Sequence, residues 1–583
     1  MIISKIDAGI GISKREKIDG EPNKGKVRTE IISFNKFKPY FYLGKVSASE
    51  DGWKRVKTNW DAIDFKKYSK IFIKDKFGSV NATINFEPTE EKCLHGYQLY
   101  KVTWSPSRPE YARTIADRMV AYGFETYEAD VPYHYRYAVD KIQQMPDEAP
   151  MRKMYWDMEW VQEGKHKDAI TCIVAYDSYD EKYYSFAWFP YGEDIEPIEV
   201  PEDASFVESD KEEDMLREFI MHIMTTDPDM LISWFGWKFD LPKLLQRLVH
   251  HGIDARFLSP FQEVDGIGWK GNKPTISKRV ENFSPIYQPI KGRICFPMDL
   301  AFERQWNDAQ RGTLPSMALD YVSETVLGHK KLVSSKFPDK NEFFKRAWLE
   351  DTNTYINYAI VDVRLLVEID EKNHTSDSVL ALQNLLIAPF DACFYASNMG
   401  SIYFMRHAHW KAPTGKKGDR RSYDGAMVYD PLSEGTNGLH HNVAAFDFAG
   451  LYPSMIISRN ISWETTSKEP TELAVNVKTP KDFSPVTEEY MRYFKTDELG
   501  LLPRSVLHLK TLRQEYKENM KKYPNEYAKW NNNQLAVKRL MASFYGIIAY
   551  QGFGWADVTL AECITASARE AIREAARVAK EME

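Results

Sequence analysis

The alternation of apolar and polar positions divides the chain into three stretches. Over residues 1–145, short β-like runs (EIISFN, PYFYLGKV, KIFIKD, YQLYKVTW) alternate with charged turns and end in the aromatic-rich YEADVPYHYRYAVDK, which reads as a connection. A mixed α+β domain is expected there. Over residues 146–375, strand-like AITCIVAYD and YYSFAWFPY alternate with the helical period of EEDMLREFIMHIMTT, the layout of an α/β domain around a mixed sheet. A helical connector is expected over 376–415. Beyond it, NVAAFDFAGLYPSMII reads as a buried strand running into a turn and a helix. SVLHLKTLRQEYKENMKKY and EYAKWNNNQLAVKRLMASFYG read as two helices joined at Pro524 and Asn525, an antiparallel helical hairpin. The closing SAREAIREAARVAKEME spaces Ile572, Ala575, Ala576, Ala579 and Met582 as the buried stripe of a helix.

Composition narrows the class. A chain of 583 residues exceeds one core and implies several domains, and 43% hydrophobic with 14% aromatic residues excludes wholesale disorder. The formal charge of −7 removes any whole-chain basic excess, so phosphate contacts must come from local patches. Cys93, Cys172, Cys295, Cys393 and Cys563 lie far apart without a C-x-x-C pair, which argues against a zinc ribbon or a disulfide scaffold and fits a reducing compartment. There is no signal-peptide pattern and no run of about 18 apolar residues, so a cytoplasmic protein without a membrane span is expected. Gly266, Gly268 and Gly271 match the spacing of a dinucleotide-binding loop, but the following NKPTIS cannot open a helix; a surface turn is expected.

Candidate chemistry lies in the acids. In MYWDMEW, Asp157 and Glu159 are two positions apart on a strand, so both point to one side and repel unless water or a cation intervenes. Asp240, in WFGWKFDLP, falls at a strand-to-helix junction. Tyr358 and Asp362 are i and i+4 on a helix and share a face. Taken singly, each acid is more often structural. Four carboxylates and a phenol in one domain suit two-metal phosphodiester hydrolysis, with Tyr358 orienting the attacking water.

YWDMEW, WFGWKFDLP and YAIVD resemble, in order, the three exonuclease motifs of the family B DNA polymerases. The resemblance implies an RNase H-like 3′→5′ exonuclease domain, with Asp157, Glu159, Asp240 and Asp362 binding two Mg²⁺ or Mn²⁺ ions. FDFAGLYPSMI resembles the first palm motif, which makes Asp447 a metal ligand and places Tyr452 under the sugar. SYDGAMV resembles the template-contacting segment, through Tyr423, Gly425 and Ala426. KRLMASFYG resembles the family's K-x-x-x-N-S-x-Y-G, with Lys538, Ser543, Tyr545 and Gly546 in register, and the helical hairpin corresponds to the fingers. Three cations, Arg513, Lys517 and Lys538, are expected to clamp a triphosphate there. The resemblance thus implies a template-binding domain over 1–145, the exonuclease over 146–375, palm over 416–502, fingers over 503–550 and a palm helix over 551–583. FKPYFY, with Pro39 and Tyr40, resembles the archaeal segment that reads template uracil.

Three departures qualify the likeness. Phe235 and Ala542 stand where the family carries Asn, and no D-T-D palm motif follows FYGIIAYQGF. One palm Asp is too little charge to hold two ions beside a triphosphate. The expectation is therefore a DNA-directed DNA polymerase with a proofreading exonuclease, acting on primer–template DNA, single-stranded 3′ ends and dNTPs. Its polymerase site is expected to need a second polypeptide carrying D-T-D and the thumb, unless the sequence is a fragment of a longer one, and its location to be the cytoplasm, either nucleoid-associated or as a viral protein in the host cytoplasm. The alternatives are a non-catalytic DNA-binding homologue and a stand-alone 3′→5′ exonuclease.

Overall fold

The computed structural model describes residues 1–18, 21–49, 52–56, 59–75, 78–145, 150–191, 195–307, 312–415, 423–425, 427, 447–480, 487–550 and 552–582. The chain forms two compact units, one of residues 1–37 with 140–394 and the other of residues 38–139 with 395–583. The stretch read as one N-terminal domain thus contributes to both.

The first unit is built on a six-stranded sheet. Its order is Ala204–Ser209, Lys182–Trp188, Ile170–Asp177, Lys153–Trp160, Met230–Ser233 and Ile294–Pro297. Lys153–Trp160, Ile170–Asp177 and Lys182–Trp188 pair antiparallel as a meander, and Met230–Ser233 and Ile294–Pro297 join parallel beside Lys153–Trp160. ITCIVAYD is apolar through most of its length because it is covered on both faces.

Alternation along the central strand decides which residues meet which helix. Trp156 turns to Phe219 of helix Glu212–Thr226, with ring centroids 6.0 Å apart. Tyr155 turns the other way and donates to Asp370 Oδ2 of helix Thr352–Asn373 at 2.5 Å. Asp157 and Glu159 share the side of Tyr155, so they face the helix that carries Tyr358 and Asp362. The first three strands, Ile2–Ile6, Gly9–Ile18 and Glu21–Ser33, form their own antiparallel sheet. Arg15 is buried there and donates to Asp229 Oδ2 at 2.5 Å, fastening this sheet to the residues just before Met230–Ser233.

Gly266 and Gly271 take positive φ around a small hairpin, Ile267–Lys270 with Lys273–Ile276, so the glycine triplet serves a turn.

The second unit opens with a sheet of Gly52–Val56, Tyr40–Ser49, Gln98–Ser105, Gly78–Lys92 and Lys70–Asp75, around a core that includes Phe41, Trp104, Ile115, Met119 and Phe124. The aromatic connection proves helical over Tyr133–Lys141, with Tyr133, Tyr135, Arg136, Tyr137 and Ala138 buried around its circumference rather than along one stripe. Helices Leu501–Lys522 and Tyr527–Ile548 form the expected hairpin, turned by Pro524–Glu526. The stripe on the last helix, Val558–Glu581, differs from expectation. Its buried part is Leu560–Ala568; Ile572 and Ala576 are half-buried, and Ala575, Ala579 and Met582 are exposed. The helical spacing is real, but the described residues cover Ile572 and Ala576 only in part and leave Ala575, Ala579 and Met582 open. The strand expected before Asp447 falls on residues 441–446, outside the described residues.

Candidate active sites

In the first unit, Asp157, Glu159 and Asp362 each bring a carboxylate oxygen within 4.8 Å of the others. Asp157 and Glu159 are half-buried, whereas Asp362 is 1% exposed and its Oδ1 is buried without a hydrogen-bond partner. Asp240 is buried at the first turn of helix Asp240–His250 and stands outside that tight trio. Tyr358 is buried on the same helix as Asp362, as its spacing predicts.

Crowding sets the electrostatics. Burial, then repulsion by Asp362, pushes the Asp157 carboxyl up to about 7. Glu159 is raised well above its ordinary range by burial and then by Asp157 and Asp362. Asp240 is raised by burial and by Asp157. Burial also raises Asp362, against the pull of Lys331.

Lys331 carries no signal in the sequence, where it is one of two lysines in GHKKLV. Its Nζ donates to Asp362 Oδ2 at 2.5 Å and to the Tyr358 hydroxyl at 3.2 Å. Burial works against its charge, but Asp362, Tyr358 and Asp157 hold the ammonium above its ordinary value.

The loop that delivers Asp240 is tightly constrained. Phe235 has φ of 57°, a left-handed conformation that costs a residue with a Cβ on the order of 1–2 kcal/mol. A Cβ on Gly236 would lie 1.8 Å from Ser233 Oγ, so only glycine fits. Asp299, 4% exposed, accepts from the Phe235 backbone N–H at 3.3 Å and from the Trp237 indole N–H at 3.1 Å. Asp299 escaped the sequence reading, since its contacts are about 60 residues distant in the chain.

In the second unit, three of the expected substrate residues meet. The Tyr452 and Tyr545 rings lie 4.5 Å apart at 40°, and the Tyr423 and Tyr545 hydroxyls are 3.1 Å apart. Arg569 donates to the carbonyls of Asp424 and Gly425, each at 2.6 Å, and Thr565 donates to Asp424 at 2.8 Å, so the last helix secures the Tyr423–Gly425 segment. Ala426 lies outside the described residues. Gly546 is exposed on helix Tyr527–Ile548.

Arg513 donates to Gln534 Oε1 across the helical hairpin at 3.1 Å. Gln534 and Lys538 are i and i+4, which brings Arg513 to the Lys538 side; Lys517 and Lys538 are exposed. Asp447 is exposed just ahead of helix Leu451–Ser458. Tyr40 is half-buried, with Lys101 Nζ 4.2 Å and Arg136 Cζ 4.9 Å from its ring centroid.

Comparison with known proteins decides the family. The family model "DNA polymerase family B, exonuclease domain" matches residues 141–284, and "DNA polymerase family B" matches residues 396–583, together more than half of the chain. The chain belongs to the family B DNA polymerases. The exonuclease match contains Asp157, Glu159 and Asp240 of this family B chain, while Tyr358 and Asp362 join them through the fold. A DNA polymerase of Pyrococcus glycovorans is 26% identical over 518 residues, 85% of this chain and 60% of the relative. One from Desulfurococcus sp. (strain Tok) is 26% identical over 591 residues, 97% of this chain and 67% of the relative. The family B chain therefore spans about two thirds or less of these relatives. It superposes on the family B DNA polymerase of the hyperthermophilic archaeon Pyrobaculum calidifontis with a TM-score of 0.68 at 19% identity, over 99% of this chain and 71% of that one, a likeness of fold.

Proposed function

We propose that the first unit is a metal-dependent 3′→5′ exonuclease acting on single-stranded DNA ends. The observation that carries the reading is the convergence of Asp157, Glu159 and Asp362 within 4.8 Å, with one Asp362 oxygen buried and unpartnered. Raised carboxyls that repel one another and a free oxygen fit an all-oxygen cation site, so the residues present suit Mg²⁺ or Mn²⁺. Asp157, Glu159 and Asp362 would hold such ions, two by the family's likeness, with Asp240 at the edge of the set. Bound there, the ions would lower the pKa of water and stabilise charge on the leaving oxygen.

The chain's own groups supply the rest. Tyr358 presents its hydroxyl beside Asp362 to orient the attacking water. Lys331 offsets part of the carboxylate charge and leaves its third N–H donor for a phosphate oxygen. Exonuclease assay of a 3′-labelled single strand with Mg²⁺ or Mn²⁺, wild type against Asp157→Ala, tests this. Metal-dependent digestion lost in the variant is expected; digestion retained by the variant defeats the reading.

For the second unit we infer nucleotidyl transfer on a primer–template. Tyr452 and Tyr545 would border the sugar and nascent pair, Tyr423 and Gly425 the template, and Arg513, Lys517 and Lys538 the triphosphate. Asp447 would bind an ion with a second carboxylate that these 583 residues do not provide in a D-T-D motif. A segment with that motif and a thumb, on a second polypeptide or on further residues of the same one, would supply it. Primer extension is expected only when such a segment is present; robust extension by these 583 residues alone refutes the requirement. Pro39 and Tyr40 as a uracil reader would show as tighter binding of uracil-containing strands.

A further inference from the structure

Asp240 stands beside the acid trio, near enough to be repelled by Asp157, on a loop that a free chain would not adopt. Phe235 holds a left-handed conformation that its bulk disfavours, and Gly236 approaches Ser233 too closely for any side chain. The turn closes tightly: the Phe235 carbonyl accepts from Lys238 N–H at 2.9 Å and Phe239 N–H at 3.1 Å, and the Gly236 carbonyl from Leu241 N–H at 2.9 Å. Such a conformation persists only when its surroundings over-determine it. Helix Met298–Trp306 supplies that restraint. It begins where strand Ile294–Pro297 ends, beside Met230–Ser233, and Asp299 sits in its first turn. The Asp299 carboxylate takes one N–H from each side of Gly236, that of the Phe235 backbone and that of the Trp237 indole.

We propose that Asp299 is a positioning residue of the exonuclease: by bracing Phe235 and Trp237 it holds the loop that aims Asp240 at the cation site. It rests on the exonuclease reading above. Among the described residues Asp299 is not one of the clustered acids; its hydrogen bonds go to Phe235 and Trp237, so its effect travels through the loop. The chemistry requires an ionised or at least double-acceptor group. An amide in its place would turn an NH₂ toward one of the two N–H donors, and one brace would be lost.

Asp299→Asn should therefore weaken Mn²⁺ binding by about tenfold, measured calorimetrically without DNA, and slow excision of a single strand by about 10–100-fold, the range found when outer-shell partners of metal ligands are removed. The decisive variant is Phe235→Gly in the Asp299→Asn background. Glycine adopts the left-handed turn without steric cost, so Mn²⁺ affinity and excision should return to within about threefold of wild type, even as the added chain entropy lowers the melting temperature. A residue that merely stabilised the fold would give the opposite pairing, with both quantities falling together. If Asp299→Asn does not fold, Trp237→Phe removes one donor without creating a clash, and about a threefold loss of affinity is expected.

An Asp299→Asn protein that binds Mn²⁺ and excises like wild type overturns the proposal and leaves the exonuclease reading intact, as does a Trp237→Phe protein with unchanged affinity. A wild-type protein that neither binds Mn²⁺ nor digests DNA ends both.

Discussion

Lys331 Nζ stands 2.5 Å from Asp362 Oδ2, so one cation is built into the carboxylate cluster. The Asp362 side chain is 1% exposed and that of Lys331 20% exposed, which makes the pair a buried one whose rupture strands a charge. Removing one partner of such a pair costs about 3–5 kcal/mol. Lys331→Met is expected to lower the melting temperature in EDTA and to recover much of the loss in Mn²⁺, which can replace the missing positive charge. Thermal unfolding under the two conditions checks this, and equal losses in both would remove the charge argument.

Gly236 offers a steric test of the same neighbourhood. A Cβ there would meet Ser233 Oγ at 1.8 Å and Ser233 Cβ at 2.5 Å, with Asp240 Oδ2 at 3.3 Å. Gly236→Ala should therefore destabilise by about 1–3 kcal/mol, as overpacking does, and displace Asp240. Adding Ser233→Gly removes both clashing atoms. Denaturant unfolding together with single-strand excision should show the double variant recovering both quantities; recovery of neither would mean that the close approach is not what fixes the loop.

Glu212 sets an acid limit on the first unit. It is buried, yet its carboxyl is held below the ordinary range: burial raises it, but hydrogen bonds from Arg247, His251 and the Ile170 backbone outweigh that. A depressed carboxyl stabilises the fold fully above its unfolded pKa of about 4.3 and loses that contribution as pH falls through the lower folded value. Melting temperatures recorded from pH 6 to pH 3 should fall more steeply for wild type than for Glu212→Gln. Parallel curves would show that Glu212 does not govern acid sensitivity.

Tyr545 joins two neighbours by different means, packing its ring at a tilt against Tyr452 and sharing a hydroxyl contact with Tyr423. Tyr545→Phe breaks only the hydroxyl contact and should cost about 0.5–1.5 kcal/mol, whereas Tyr545→Leu should lose the ring pair as well, about 0.5–1.5 kcal/mol more. Because Tyr423→Phe removes the same contact, combining it with Tyr545→Phe should add almost nothing. Full additivity in a double-mutant cycle of unfolding free energies would show that the two hydroxyls are not coupled.

Local spacing carried the elements and most of the candidate residues. Period-two alternation put Asp157 and Glu159 on one side of a strand, and i,i+4 spacing put Tyr358 and Asp362 on one helix face. The helical hairpin and its Pro524 turn followed from helical period and a breaker. The same reasoning misjudged the last helix: an apolar stripe records a capacity for burial, and whether Ala575 or Met582 is covered depends on what packs there. It also read Tyr133–Lys141 as a connection, because aromatic residues in a short window fit neither period cleanly.

The sequence by itself determined which acids exist, which pairs share a face and which family the chain resembles, since those depend on identity and on spacings of two to four residues. Tertiary structure alone decided that Lys331 enters the carboxylate cluster, that Asp240 stands outside the tight trio, and that Asp299 braces a left-handed Phe235. Those relationships join residues tens to hundreds of positions apart. They are fixed by where strands stack in a sheet and how helices cover it, and no periodicity along the chain encodes that distance.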